Sequence, residues 1–197
     1  KLNDEVKAHL ATYKFGIMPY DAVLDFVATL PTETKILVDP DKVSRGLFDK
    51  ISCCPVFGGS KVAKLKSIKN ESMLRSIDIA MEKDGVALTR FFMMVERDHP
   101  KGELTELILS ERLREIRLSD PSCVDESFAS ILGFKEHGAI IHYEATEESN
   151  IPVVGDGLLL VDSGGQYIYG TTDITRTVAL GTPTAEEIHD YTLVLKG

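Results

Sequence analysis

At 197 residues, with 43% hydrophobic and 27% charged residues, the chain has the composition of a folded globular protein with one large domain or two smaller ones. The formal net charge of -9 argues against a nucleic-acid or anionic-membrane partner, because phosphate binding requires a basic surface. No apolar run reaches the roughly 20 residues that a membrane span needs. The 3 cysteines lack the spacing of a metal site or a disulfide framework, which favours reduced thiols and a cytoplasmic location.

The first sixty residues alternate between helical and strand patterns, which is typical of an α/β domain. The patterns predict a helix over 21–30, a buried strand over 35–39 and a second helix over 41–51. Proline and glycine are concentrated in 52–61, which indicates a linker. We therefore predict one domain over 1–60 and a second over 61–197.

Helices open the second part of the chain. Asn70 has the side chain of an N-cap, and large apolar residues recur at threes and fours as far as Val95. This pattern predicts one long helix whose Met and Phe stripe lies in the core. A second helix is predicted over 104–116, ending before Asp120 and the proline that follows it.

From Phe128 onward the periodicity changes to that of strands. It predicts strands over 138–145, 158–169 and 172–180. The last two are expected to be antiparallel neighbours that turn at Gly170. Thr184 and Glu187 have the spacing of a capping box, which predicts a final helix.

Asp162 and Asp173 lie at the two ends of a glycine-rich ribbon, in DSGGQYIYGTTDITRT. Because Gly164 and Gly165 permit a bulge or a close backbone approach, the two carboxylates could project from adjacent strands toward one point. Carboxylates held together repel each other, and a divalent cation removes that penalty. In the alternative interpretation both aspartates are turn residues, and His142 is a structural histidine. Spacing alone leaves both interpretations open.

Three segments closely resemble aminopeptidase P, of the pita-bread metallopeptidase family M24. The segment 158–184, LLLVDSGGQYIYGTTDITRTVALGTPT, is similar to the metal-binding strand pair of that family. The segments 127–146 and 67–92 are similar to the stretch before it and to the first helix of the catalytic domain. The resemblance implies an α+β fold, with part of a creatinase-type α/β domain followed by the first part of a pita-bread domain, an antiparallel sheet with covering helices.

The resemblance also implies a dinuclear site with two divalent metal ions, manganese first and zinc or cobalt as alternatives. Two Asp, one His and two Glu hold such ions in this family. Asp162 matches the aspartate that binds one ion, and Asp173 matches the aspartate that bridges both. His142 matches a catalytic histidine that contacts substrate or helps to move protons. Phe128 and Ile141 match residues that line the pocket for the first side chain of the substrate.

The implied reaction is release of an N-terminal residue from peptides with proline at position 2, by water that the metals activate. Two alternatives remain: a non-catalytic pita-bread module that binds peptide or protein, and a prolidase-like dipeptidase. The motif GTTDITRT and the α/β domain upstream favour aminopeptidase P over a prolidase-like dipeptidase. A homodimer is a further possibility for such a protein.

Two features limit what the resemblance transfers. Tyr169 stands where the family commonly has an aspartate that is not a ligand, so we expect little consequence. The implied His and Glu ligands have no counterpart before Gly197, and the chain opens on Lys1 without methionine. We therefore expect a fragment of a longer protein that is catalytically inactive by itself and binds metal weakly, because such ions require about five or six ligands each.

Overall fold

The computed structural model describes residues 2–197, and the contacts divide the chain into two compact units, with the division after Ile68. Each unit has its own helices and strands. Within the described residues no helix is long and apolar enough to cross a membrane. The domain boundary predicted between residues 60 and 61 stays a prediction, since the contact-based division falls later in the chain.

The first unit alternates short helices with two strands. Its elements in chain order are α1 (Asp4–Thr12), α2 (Ala22–Ala28), β1 (Lys35–Val38), α3 (Arg45–Phe48), β2 (Cys54–Phe57) and α4 (Lys61–Ser67). The two strands pair in parallel, with Val38 opposite Phe57. Parallel strands need a crossover connection, and α3 supplies its helical part. This arrangement confirms the predicted α/β character of the first part of the chain.

Two predictions for this unit are wrong. The segment 52–61 is not a linker, because it contains β2. Pro55 is tolerated there because both strands of a two-stranded sheet are edges, where a missing N–H costs no internal ladder bond. The helix predicted over 41–51 is shorter in the structure, where only α3 is helical. It begins after Ser44, because the Ser44 side chain accepts a hydrogen bond from the Leu47 N–H at 3.3 Å.

The second unit contains the long helix and two small sheets. Its elements are α5 (Glu71–Asp98), α6 (Glu106–Leu118), β3 (Cys123–Glu126), β4 (Ile131–Phe134), β5 (Gly157–Ser163), β6 (Gly165–Tyr167), β7 (Gly170–Thr171), β8 (Ile174–Leu180) and α7 (Ala185–Lys196). Short 3-10 helices follow α5 at His99–Lys101 and β4 at Lys135–Ala139. Both sheets are antiparallel and have three strands, in the orders β4-β5-β8 and β3-β6-β7.

The predicted helix starts are confirmed by their capping bonds. The Asn70 side chain accepts a hydrogen bond from the Met73 N–H at 2.9 Å, and α5 runs on from there. Thr184 and Glu187 form the predicted capping box at the start of α7. Because these bonds satisfy backbone donors that a helix leaves unpaired, they fix where the helices begin.

The apolar stripe of α5 lies only partly in the core. Leu88, Phe91 and Val95 are buried, as predicted, but Leu74 and Met81 are exposed. The C-terminal half of the helix therefore carries the core contacts. That core joins α5 and α6 to β4, β5 and β8, since buried residues of all five elements form one cluster.

Strand β5 separates the core from the opposite face of its sheet. Successive residues of a strand point to opposite faces, and burial alternates accordingly along β5. Leu159, Val161 and Ser163 are buried on the side of the core. Leu160 and Asp162 are half-buried on the other side, which we call the outer face.

The prediction of a strand over 138–145 is wrong. A 3-10 helix and a turn occupy this region, and His142 has a φ of 56°, in the left-handed region of backbone space. The alternation predicted Ile141 and Tyr143 on one face, but Tyr143 turns inward to a buried carboxylate, whereas Ile141 turns outward and is 85% exposed.

A fully buried ion pair links the helices to the sheets. Arg117 of α6 donates through Nε to Asp84 Oδ1 of α5 at 2.8 Å, and through Nη2 to Asp84 Oδ2 at 3.2 Å. The same Nη2 donates to the Ser163 hydroxyl of β5 at 3.0 Å, and the Tyr167 hydroxyl of β6 donates to Asp84 Oδ1 at 2.9 Å. Four elements therefore meet at one charge pair.

We expect Arg117→Met to lower the free energy of unfolding by about 3–5 kcal/mol, because it leaves the Asp84 charge buried and uncompensated. Urea denaturation followed by circular dichroism measures this loss. Arg114→Met is the matched control on the same helix: its guanidinium is 42% exposed and lies 3.6 Å from Glu126, so its removal should cost about 0–1 kcal/mol. Losses of equal, small size in both variants would contradict the prediction.

Alkaline pH should destabilise this unit through Tyr167. Burial, and then the neighbouring Asp84 carboxylate, raise the pKa of the Tyr167 hydroxyl. An unfolded tyrosine ionises near pH 10, so above that pH the folded state retains a proton that the unfolded state has lost, and stability falls as pH rises. Thermal melts between about pH 9 and 11 should show a smaller alkaline loss for Tyr167→Phe than for the unaltered chain. Tyr20→Phe, at a side chain that is 92% exposed, should leave the loss unchanged. An identical loss in all three proteins would refute this account.

Candidate metal centre

Asp162 lies on β5, and Asp173 comes immediately before β8, the strand that pairs antiparallel with β5. In that register Asp162 is directly opposite Thr175. Asp173 lies outside the paired residues, and extending the alternation of β8 by one residue predicts that it shares the outer face with Thr175 and Asp162. Diagonal neighbours across such a pair lie about 7–8 Å apart, close enough for two carboxylates to reach a common centre.

The two carboxylates differ in their surroundings. Asp162 is half-buried, and its Oδ1 accepts a hydrogen bond from the Thr175 hydroxyl at 2.8 Å. Asp173 is exposed. Carboxylate oxygens are hard donors of the kind that Mg²⁺ and Mn²⁺ prefer, and they also bind Zn²⁺. As a donor set, the pair therefore fits part of a divalent-metal site.

The ribbon between the aspartates is folded back on itself at Thr172. The Gly165 N–H donates to the Thr172 hydroxyl at 2.8 Å, and the Thr172 N–H donates to the Gly165 carbonyl at 3.0 Å. The Ser127 hydroxyl donates to the Thr172 carbonyl at 2.9 Å. A β-carbon at Gly164 would collide with that same carbonyl oxygen, so only glycine permits this approach. We call these contacts the Thr172 clasp.

The strand predicted over 158–169 is interrupted after Ser163, and the strand predicted over 172–180 begins two residues later than predicted, after the Thr172 clasp. Strand β5 ends at Ser163, and β8 begins at Ile174. The short β6 and β7 between them belong to the other sheet. The glycine pair thus provides the close backbone approach that the sequence predicted, and the interruption ends β5 one residue after Asp162.

The other predicted site residues lie apart from this pair in the chain. Phe128 is half-buried in the loop between β3 and β4, and Ile141 and His142 are exposed on the turn after the 3-10 helix. Within residues 2–197, no group of three His, Cys, Asp or Glu side chains is arranged to hold a metal ion. The roles of Phe128, Ile141 and His142 stay predictions.

An apolar cavity of ≈ 700 Å³ lies between the outer face of the sheet and α7. Leu158 and Leu160 line it from β5, and Tyr191 and Val194 line it from α7. Thr175, the neighbour of Asp162, is at its edge. The lining includes neither of the two residues predicted to surround the first side chain of a substrate.

A buried carboxylate that the sequence pattern did not indicate anchors the turn at 141–142. Glu106, fully buried in the first turn of α6, accepts hydrogen bonds from the Phe134 N–H at 2.9 Å and from the Tyr143 hydroxyl at 2.7 Å. His137 Nδ1 lies 3.0 Å from both Glu106 oxygens, within hydrogen-bond distance. These donors compensate the cost of burying the charge.

One sequence signal could have revealed both buried charges. Glu106 and Arg117 lie on the helical stripe that also carries Leu109 and Leu113, which are fully buried. A charged residue at a position where the period requires an apolar one must have a partner, since an unpaired charge is not tolerated in a core. The pattern identifies such residues without identifying their partners.

Tyr143→Phe should loosen the turn at 141–142. Burial raises the pKa of the Tyr143 hydroxyl, and Glu106 acts in the same direction, so the hydroxyl remains a donor to that carboxylate. Its loss should cost about 1.5–3 kcal/mol, the range for hydrogen bonds to charged groups. Hydrogen exchange of the amides in 138–146 should become faster, while Tyr13→Phe, at a side chain of the first unit that is 64% exposed, should leave it unchanged. Unaltered exchange in Tyr143→Phe would show that the turn does not depend on this bond.

Solved structures of proline-specific peptidases share this fold. The X-prolyl aminopeptidase of Caenorhabditis elegans, described as a cytosolic enzyme with a di-nuclear active site, superposes with a TM-score of 0.89 at 27% identity, over 99% of this chain and 33% of that one. The X-Pro aminopeptidase of Thermotoga maritima gives a TM-score of 0.63 at 22% identity, over 89% of this chain and 49% of that one. The prolidase of Pyrococcus horikoshii superposes with a TM-score of 0.71 at 18% identity, over 98% of this chain and 55% of that one.

Curated relatives align with the whole of this chain. A probable Xaa-Pro aminopeptidase P of Neurospora crassa is 34% identical over 210 residues, and the Xaa-Pro aminopeptidase 1 of Dictyostelium discoideum is 35% identical over 203. The aminopeptidase P2 of Arabidopsis thaliana is 31% identical over 229 residues. The alignments cover 100% of this chain but 31%, 32% and 32% of those proteins, so the chain spans about a third of the length of these relatives.

Family comparison separates the two parts of the chain. The creatinase/prolidase N-terminal domain matches residues 1–72, and metallopeptidase family M24 matches residues 75–197. The second match covers more than half of the chain and includes Asp162, Asp173 and the Thr172 clasp. Together with the solved structures, these matches confirm the predicted fold class, a creatinase-type portion followed by the first part of a pita-bread domain. The chain belongs to metallopeptidase family M24.

Proposed function

We propose that the chain is part of a metal-dependent Xaa-Pro aminopeptidase, which releases an N-terminal residue when proline follows it. The position of Asp162 opposite Thr175, with Asp173 immediately before the same strand β8, carries this proposal, because two hard oxygen donors would then lie near the same end of the strand pair. Relatives named as Xaa-Pro aminopeptidases, at 34% and 35% identity, support the reaction type.

Two divalent metal ions are the cofactor that we propose, with manganese first and zinc or cobalt as alternatives. The description of the C. elegans relative as an enzyme with a di-nuclear active site supports two ions. Asp162 would bind one ion, and Asp173 would bridge both. When bound, the ions supply Lewis-acid chemistry for amide hydrolysis.

The remaining ligands would come from sequence outside this chain. Each ion requires about five or six ligands, and within residues 2–197 no third His, Cys, Asp or Glu joins the two aspartates as a metal-binding group. The relatives are about three times as long as the aligned region. We therefore propose that the 197-residue chain alone is inactive and binds metal weakly.

Substrates would be peptides with proline at position 2. Proline has no backbone N–H, so a site that accepts it cannot depend on a hydrogen bond from that group. His142 is exposed on its turn, and in this proposal its imidazole contacts the peptide or moves a proton. Phe128 and Ile141 would form an apolar wall for the first side chain.

The enzyme proposal is favoured over the two alternatives. A non-catalytic pita-bread module has no need of the metal ligands, yet both aspartates expected in this span are present. The likeness to the prolidase of P. horikoshii, at 18% identity, shows the fold alone and does not favour a dipeptidase reaction over an aminopeptidase reaction. A cytoplasmic location belongs to the proposal, supported by the description of the C. elegans relative as cytosolic. A homodimer stays a prediction.

Asp173→Asn should abolish the proposed activity in the full-length protein that contains this chain. Mutation of an outer-shell partner of a metal typically lowers metal affinity or activity by about 10–100-fold. Loss of a bridging carboxylate should therefore lower kcat/KM by more than about 100-fold. The measurement is release of the N-terminal residue from an Xaa-Pro-Pro peptide with Mn²⁺ and then with a chelator. Asp78→Asn, at an exposed residue of α5, is the matched control and should behave as the unaltered protein.

Three results would contradict this proposal. Release that persists in chelator would exclude a metal-dependent reaction. No release with any divalent metal would favour the non-catalytic module. Micromolar Mn²⁺ binding by the 197-residue chain, measured by calorimetry, would show that it holds a complete site and would contradict the proposed division of ligands.

A further inference from the structure

Thr175 contacts the proposed metal ligand from the neighbouring strand. It is directly opposite Asp162 in the register of β5 and β8, and its hydroxyl donates to Asp162 Oδ1 at 2.8 Å. In this bond the hydroxyl is the donor and the carboxylate oxygen is the acceptor. Thr175 is exposed, so the core does not require its hydroxyl to have this partner.

We propose that Thr175 is a positioning residue, which holds the Asp162 carboxylate in the orientation needed to bind a divalent ion. This inference rests on the proposed metal site. An aspartate side chain rotates about two bonds, and free rotation must be lost when a metal binds. A hydrogen bond to Oδ1 restricts that rotation before the metal binds, so the side chain loses less conformational entropy on metal binding.

The position of Thr175 is itself fixed by the surrounding structure. β5 and β8 pair without a break over seven residues, from Gly157 opposite Leu180 to Ser163 opposite Ile174. The Thr172 clasp holds the chain three residues before Thr175. Threonine is also branched at its β-carbon, which restricts the rotation that aims the hydroxyl. The strand pairing and the clasp therefore fix the position of the Thr175 hydroxyl.

A purely structural role for this contact would have a different consequence. Cross-strand pairs of this kind contribute a small, general stabilisation and have no specific effect on a ligand. Thr177 allows the comparison, because it lies on the same strand and the same face but opposite Leu160, whose side chain has no polar atom to accept a hydrogen bond. Replacing either threonine by valine keeps the shape and the β-branching and removes only the hydroxyl.

The test measures Mn²⁺ affinity of the full-length protein that contains this chain, by isothermal titration calorimetry. Thr175→Val should raise the Kd for Mn²⁺ by 10- to 100-fold, the effect typical of outer-shell partners. Thr175→Ser, which retains the donor, should restore an affinity close to that of the unaltered protein, and Thr177→Val should leave the Kd unchanged. The kcat of Thr175→Val should recover at saturating Mn²⁺, because the residue acts through metal binding.

Asp162→Asn separates failure of this inference from failure of the proposed function. If Asp162→Asn abolishes Mn²⁺ binding and Thr175→Val leaves the Kd unchanged, the positioning role is overturned and the metal site stands. If Asp162→Asn also leaves the Kd unchanged, both the site and the inference are overturned. A lower unfolding temperature of metal-free Thr175→Val, not shared by Thr177→Val and not restored by serine, would assign Thr175 a structural role and likewise overturn it.

Discussion

The buried pair of Arg117 and Asp84 is the constraint on which the second unit depends. Two charges removed from water need hydrogen bonds to compensate them, and here these bonds come from two helices and two strands and leave Arg117 Nη1 as the buried atom without a partner among residues 2–197. The distances between α5, α6, β5 and β6 are therefore coupled, since a shift of any one element would break a bond to a buried charge. A purely apolar core would tolerate such shifts more readily.

The same strand connects this buried pair to the candidate metal centre. Ser163 accepts from Arg117 on the core side of β5, and its neighbour Asp162 points to the outer face. Buried hydrogen bonds thus fix β5 on the core side, while Thr175 contacts the Asp162 carboxylate on the outer face. The Thr172 clasp then closes the ribbon. Because each contact supports the next, the two aspartates stand on a rigid base, as a metal site requires.

Local signals predicted much of the second unit. Asn70 and the capping box at Thr184 marked helix starts correctly, because a cap involves only residues three or four positions apart. The strand pair carrying Asp162 was predicted for a similar reason: alternation and glycine lie in one continuous stretch. The prediction of a strand over 138–145 was wrong because Tyr143 does not share a face with Ile141 and instead donates a hydrogen bond to Glu106, a residue 37 positions away. Nothing in the local pattern contains that partner.

By itself, the sequence determined the helix caps, the periodic faces, the ribbon with its two carboxylates and the resemblance that identifies the family. Only the tertiary structure decided that Glu106 and Arg117 are buried charges, that β2 occupies the apparent linker, and that Thr175 donates to Asp162. The physical reason is that propensity, capping and periodicity act between near neighbours in the chain. Pairing of a buried charge, or of residues on facing strands, depends on groups that folding brings together, and these were distant in sequence.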